Sequence, residues 1–373
     1  MSFLNSTNRE FFKFALVSLI VTGFFGIVGL ILLLIMQWLV LQDYAKDKVG
    51  KHGINEVQTS RLGGVAVAVG VLVSMVYLLL TSSPEVFPMS FSGIYWAAWM
   101  GTVACFLLGL IEDLRDHSMS PNIRLLSMAL ILVSVFLFSP DLVPSEIGIG
   151  LIDYFLEVRW IAVFVCLFFS IGFINSVNAA DGANGLVSGI FMVSCYIFAR
   201  EIGAGTLQAG FYGASVFFVF NMSTGKILLG DSGAYGIGAG MLLMSLIAFS
   251  QGLVSLPFLA VLFFYPCFDF LVSVVRRLSN KQPMTSPDND HFHNRLYIYF
   301  KSAFRSKTVA NSATGLSVVL CTSGLALGGY VAGVISLESN LWLWVFLFQC
   351  VVYVVLFIGT GRFIRTRVNN GLA

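Results

Sequence analysis

Residues 93–116 read GIYWAAWMGTVACFLLGLIEDLRD. Residues 93–111 carry no charge, and Glu112, Asp113 and Asp116 follow at once. A helix needs about 20 mostly apolar residues to cross a bilayer. The stretch therefore predicts a membrane span with an acidic cluster at its mouth. Working outward, ten further stretches have the same character: 14–41, 62–80, 123–139, 158–175, 186–200, 207–222, 233–250, 253–274, 311–335 and 340–361. Backbone polar groups in hydrocarbon must bond within their own segment, so these are helices rather than strands. The chain is 57% hydrophobic and 11% charged, against roughly 25% charged in a soluble domain. The expectation is an all-α, polytopic integral membrane bundle of about eleven transmembrane helices, with residues 1–373 forming one membrane-embedded domain. The run from Phe14 is too long for the roughly 7–15 apolar residues of a secretory signal, so it reads as a retained first span.

Lysine and arginine orient the bundle. With the N-terminus outside, the segments 42–61, 112–122, 176–185, 223–232, 275–310 and 362–373 face inward. Together with Arg124 at its helix edge they hold 17 of the 21 basic residues, leaving Arg9, Lys13, Arg159 and Arg200 outside. The C-terminus is then cytoplasmic. Acids of the outer loops (Asp141, Glu146, Asp153, Glu157) stand without companions, whereas inner loops mix carboxylates with Asn, His, Lys, Arg and Gly. Chemistry is expected on the inner face. Net charge is +2 and no dense basic face is present, which argues against nucleic-acid binding. The six cysteines lie singly within apolar runs and read as small buried hydrophobes.

Five inner motifs carry the polar chemistry. Asp47 and Lys48 precede Arg61-Leu62-Gly63-Gly64 at the start of a span; the glycines either let an anion approach helix amides or only allow close helix packing. Glu112, Asp113 and Asp116 repel one another unless a cation or a proton intervenes, and hard oxygen ligands suit Mg²⁺; the alternative is a solvated helix end. Asn175, Asn178 and Asp181 recur every third residue before Gly182, Asn184 and Gly185. They form a polar stripe at a membrane boundary that a single helix cap does not explain. Asn221 and Asp231 bracket a short loop before Gly233 and Gly236; Asp231 is either a functional carboxylate at a helix N-terminus or an N-cap. Finally, His291, His293 and Arg295 stand near Asp288 and Asp290 in the long loop, too few imidazole or thiolate groups for zinc but suited to a diphosphate.

Taken together, the motifs resemble those of the polyprenyl-phosphate N-acetylhexosamine-1-phosphate transferase superfamily, in order from about Asp47 to Arg295. Glu112-Asp113 stands where the family has Asp-Asp, Asn184 replaces the second Asp of D-G-x-D-G, and Asn294 replaces the third His of H-x-H-H. The resemblance implies transfer of a sugar-1-phosphate from a UDP-N-acetylhexosamine to undecaprenyl phosphate at the cytoplasmic face of a bacterial inner membrane, as in O-antigen initiation. It implies Mg²⁺, for which Mn²⁺ could substitute, held by Asp231 with Asp113. The catalytic carboxylates would be Asp113, Glu112, Asp116 and Asp181. Substrate contacts would come from Lys48, Arg61, Arg124, Asn175, Asn178, Asn184, Asn221, His291, His293 and Arg295. A homodimer stays open. The rival readings are an ion-coupled transporter and an inactive relative acting as a membrane scaffold.

Overall fold

The computed structural model of the protein describes residues 2–46, 59–81, 93–115, 119–283 and 288–369. Among them the chain is helical, with only two isolated β-bridges and no strand. The helices are α1 (Ser2–Leu41), α2 (Gly63–Thr81), α3 (Gly93–Asp113), α4 (Pro121–Phe138), α5 (Gly150–Leu156), α6 (Arg159–Ala180), α7 (Leu186–Ile202) and α8 (Gly205–Thr224). They continue as α9 (Gly230–Ser250), α10 (Leu256–Leu262), α11 (Phe264–Ser279), α12 (Phe292–Ala303), α13 (Lys307–Cys321), α14 (Ser323–Val331) and α15 (Trp342–Asn369).

Each of the eleven apolar stretches coincides with helix. Six of them, α2, α3, α4, α6, α9 and α15, are long and apolar enough to cross a membrane alone. Two are broken: 253–274 bends by 82° between α10 and α11, and 311–335 by 47° between α13 and α14. Counting each bent pair as one span gives eight. The other three are weaker for separate reasons. In α1, Gly26 leaves helical geometry at φ 60°, and the apolar helix Phe25–Leu41 is short. Helix α7 has 17 residues, and α8 carries Gln208, Asn221, Ser and Thr along its length.

The bundle is organised around α9, which packs against α2, α3, α6 and α7. Of its most apolar window 78% is buried, against 11% for α15. Glycines set how closely its neighbours come. A Cβ on Gly109 of α3 would lie 2.2 Å from the Asp231 carbonyl oxygen, and one on Gly64 would lie 2.2 Å from the Gly233 nitrogen. Outer helices turn apolar side chains such as Phe164, Phe168, Val351 and Val355 away from the protein, the surface a bilayer would cover.

Candidate active site at the N-terminus of α9

Helix α9 begins at Gly230, whose φ of +70° and missing Cβ leave room for the Arg61 carbonyl and the Asp113 carboxylate. The first backbone amides of a helix lack partners within it and carry partial positive charge. Here carboxylates from two other elements meet them. Asp113, at the end of α3, accepts from Asp231 N–H at 3.0 Å and Ser232 N–H at 2.8 Å. Asp181, at the end of α6, lies close enough to the α9 N-terminus to feel Gly230 N–H and the charges of Asp231, Asp113 and Arg61. Asp231 itself lies inside the first turn, and the N-cap residue, Leu229, makes no side-chain cap. The capping is thus done by Asp113 from across the bundle, not by Asp231.

Arg61 completes the cluster. Its Nη2 lies 2.5 Å from Asp231 Oδ2 and 3.0 Å from Asp113 Oδ1. One guanidinium and one helix terminus therefore face three carboxylates. Asp113 is wholly enclosed, whereas the Asp231 side chain keeps 14% of its surface open and Asp181 is partly accessible. Dense surroundings and the charges of Asp231 and Asp113 push the Asp181 carboxyl up to about 7. Beside the cluster, Glu112 Oε1 pairs with Arg124 Nη1 at 3.2 Å, while the buried Oε2 has no partner among the described residues. The extra methylene of Glu112 carries its carboxylate to Arg124.

The segment holding Arg61 is stitched to the loop before α9. Ser60 N–H donates to the Lys226 carbonyl, Leu228 N–H to Ser60, Gly63 N–H to Leu228 and Gly64 N–H to Leu229. A Cβ on Gly63 would meet the Leu228 oxygen at 2.2 Å. Of the two readings of Gly63-Gly64, close packing is the one found, since both amides are already bonded.

The asparagines divide by role. Asn221 accepts from Gly185 N–H and donates to the Ile227 carbonyl, both at 2.6 Å, and so latches two loops together. Asn184 is buried against α13, with its amide nitrogen 3.2 Å from Ser312 Oγ. Asn175 donates to Ile171 at 2.8 Å. Asn178, on the same stripe as Asp181, is partly exposed.

The histidines reach the site from the far end of the chain. Gly182 permits this: a Cβ there would lie 2.2 Å from His293 Nε2. His291 and His293 stack with centroids 5.6 Å apart and planes 4° apart. Burial holds His293 down to about 4. His291 bonds Asp269, and His293 bonds Tyr265; sequence reasoning missed both partners, although a lone Asp in an apolar helix is itself a signal. Arg295 is occupied elsewhere. It forks onto Asp290 at 2.6 and 2.8 Å, donates to the Phe357 carbonyl and lies 3.7 Å over the Phe357 ring. Arg276 pins the preceding loop through Asp288 at 2.5 Å. Lys48 and Asp116 lie outside the described residues.

Among the described residues no three His, Cys, Asp or Glu side chains stand together as a metal cage. Mg²⁺ needs none, because it binds through one or two carboxylates, waters and substrate phosphate. Asp231 fits such a role as a hard oxygen donor with an open edge. Asp113 is the less accessible carboxylate, fully enclosed with an amide on each oxygen, and Asp181 is the more open one.

Residues 95–249 match the family described as Glycosyl transferase family 4. That span runs from α3 to α9 and includes every carboxylate of the cluster. Over 291 residues the chain is 25% identical to a probable undecaprenyl-phosphate N-acetylglucosaminyl 1-phosphate transferase of Bacillus subtilis (strain 168), covering 72% of this chain and 74% of that one. Over 192 residues it is 31% identical to the undecaprenyl-phosphate alpha-N-acetylglucosaminyl 1-phosphate transferase of Thermotoga maritima, covering 52% and 58%. It is 26% identical over 239 residues to a phospho-N-acetylmuramoyl-pentapeptide-transferase of Streptococcus agalactiae, covering 57% and 69%. These matches bear out the resemblance read from the motifs.

Proposed function

We propose that this chain, which belongs to the polyprenyl-phosphate N-acetylhexosamine-1-phosphate transferase superfamily, moves N-acetylhexosamine-1-phosphate from a UDP-sugar to undecaprenyl phosphate. The products are undecaprenyl-diphosphate-sugar and UMP, and the step opens a cell-surface glycan such as O-antigen. The supporting observation is the convergence of Asp113, Asp181 and Asp231, from three separate elements, on the α9 N-terminus and Arg61.

A phosphate oxygen of the lipid attacks the β-phosphorus of the donor. The new O–P bond forms as the bridging P–O bond breaks, and the bridging oxygen leaves with its electron pair as part of UMP. A phosphate monoester has a second pKa of about 6, so near pH 7 the nucleophile is already mostly dianionic and needs little general base. The work left to the protein is placement and charge neutralisation. Arg61 stands where diphosphate charge would gather, held by Asp113 and Asp231. Arg124 is part-exposed beside it and oriented by Glu112. His293 faces the Asp181–Gly182 turn. Mg²⁺, held by Asp231 with Asp181, would draw negative charge from the diphosphate. The abundance of basic residues on this side of the chain supports a cytoplasmic active site in the bacterial inner membrane.

The decisive assay incubates purified protein with undecaprenyl phosphate, Mg²⁺ and a panel of UDP-N-acetylhexosamines and measures UMP release. Lipid-dependent release, abolished by EDTA and by Asp231→Asn, is expected. No release with any donor, or release that ignores the lipid, would sink the proposal.

A further inference from the structure

Asp269, on α11, lies outside all five motifs. It is 4% exposed and accepts three hydrogen bonds. Its Oδ1 takes Phe292 N–H at 2.9 Å and the Tyr353 hydroxyl at 2.6 Å, and its Oδ2 takes His291 Nδ1 at 2.6 Å. A carboxylate only accepts, so the shared proton of the last contact sits on Nδ1. In the neutral imidazole the Nε2, across the ring from Asp269, then carries no proton and can accept. His293 is fixed in the opposite sense. Its backbone N–H already donates to the Tyr265 hydroxyl at 3.0 Å. The buried hydroxyl has no other acceptor among the described residues, so its proton goes to His293 Nδ1 at 2.7 Å, which leaves the ring proton of the neutral imidazole on the Nε2 beside Gly182. Two parallel rings 5.6 Å apart thus carry opposite tautomers, assigned from the bonds each makes.

We propose that Asp269 is a positioning residue for the transfer reaction: it fixes His291 with a free Nε2 acceptor beside the Nε2–H donor of His293, so the pair presents both polarities to a nucleoside diphosphate sugar. The donor suits a phosphate oxygen and the acceptor suits a sugar hydroxyl or amide N–H. The inference rests on the function proposed above and adds the element that orients its imidazoles.

Asp269→Asn isolates the effect. An asparagine whose oxygen keeps the Phe292 and Tyr353 bonds turns its NH₂ toward His291. That forces the His291 proton from Nδ1 to Nε2 and removes the acceptor. The chain has only four histidines, so ¹⁵N-histidine spectra of the protein in detergent read the tautomer directly. The expected result is a reversed His291 tautomer, a kcat for UMP release lowered about 10–100-fold, a KM within about threefold and an unfolding temperature near wild type. In Asp269→Asn/His291→Ala the loss should match that of His291→Ala alone, because both changes act through one ring. Tyr353→Phe removes one bond to Asp269 and leaves the His291 tautomer, so its kcat stays within about threefold. A reversed tautomer with unchanged kcat overturns the proposal, and so does a Tyr353→Phe loss as deep as that of His291→Ala. Wild-type protein that releases no UMP would overturn the transfer reading as well, which separates the two failures.

Discussion

Asp113→Asn separates a structural from a chemical role for the acid that motif reading places at the catalytic centre. The aspartate accepts two α9 amides, at 3.0 and 2.8 Å, and faces Arg61 at 3.0 Å. Asparagine keeps one acceptor and turns an NH₂ toward the second amide and the guanidinium. The charge-assisted bond lost is worth about 1.5–3 kcal/mol, and the amide left unbonded costs about 1–3 kcal/mol. Their sum agrees with the roughly 3–5 kcal/mol for breaking a buried pair. At a few degrees per kcal/mol, falling with chain length, the unfolding temperature should drop by about 5–10 °C. Tryptophan fluorescence during heating in detergent reads this, with UMP release assayed well below the transition. Asp231→Asn is the comparator. It loses only its contact with Arg61 and has an open edge, so it should abolish turnover with a much smaller thermal shift. An Asp113→Asn protein with no turnover and an unfolding temperature within about 1 °C of wild type would refute the capping argument and return Asp113 to direct chemistry.

Gly182→Ala should lower UMP release at least tenfold, because its Cβ would fall 2.2 Å from His293 Nε2 and displace that ring; unchanged kinetics would show that the contact is dispensable. Arg295→Lys should cost about 1–2 kcal/mol through the lost fork and ring stack while leaving KM for the UDP-sugar within twofold; a tenfold rise in KM at constant stability would instead make Arg295 a substrate contact. His293 titrates at about 4 in the folded protein and near 6.5 unfolded. The unfolded chain therefore takes up this proton first as pH falls, and about 3 kcal/mol of stability, complete above pH 6.5, drains away between 6.5 and 4. Thermal scans across that window should fall more steeply for wild type than for His293→Gln; parallel slopes would contradict the assignment.

The helical architecture was largely legible because hydrophobic length is a one-dimensional signal. The eleven stretches fall on helix, and the acids at the ends of α3 and α6 meet at the start of α9. The breaks at Phe263 and Thr322 were not, since apolar residues run straight through both. Site roles were harder still. Asn221 and Asn184 have the side chains of substrate ligands, yet their partners are Gly185, Ile227 and Ser312, and no spacing rule announces a bond between residues 36 or 128 positions apart. The contacts of Arg295 were hidden for the same reason, its ring partner Phe357 lying in the last helix. Asp269 is the reverse case: a single acid in F-F-Y-P-C-F-D-F-L, conspicuous by cost but without a neighbour in sequence to suggest its work.

The glycine crossings of α9 have a mechanical corollary. With the Asp231 carbonyl lodged where a Gly109 side chain would be, and Gly233 pressed on Gly64, α2, α3 and α9 have no slack for sliding. The carboxylate floor is therefore a fixed anvil. Any tightening around an arriving nucleotide must be supplied from the rim, where the two imidazoles hang on Asp269 and Tyr265, so turnover should track the stiffness of that rim rather than of the bundle's centre.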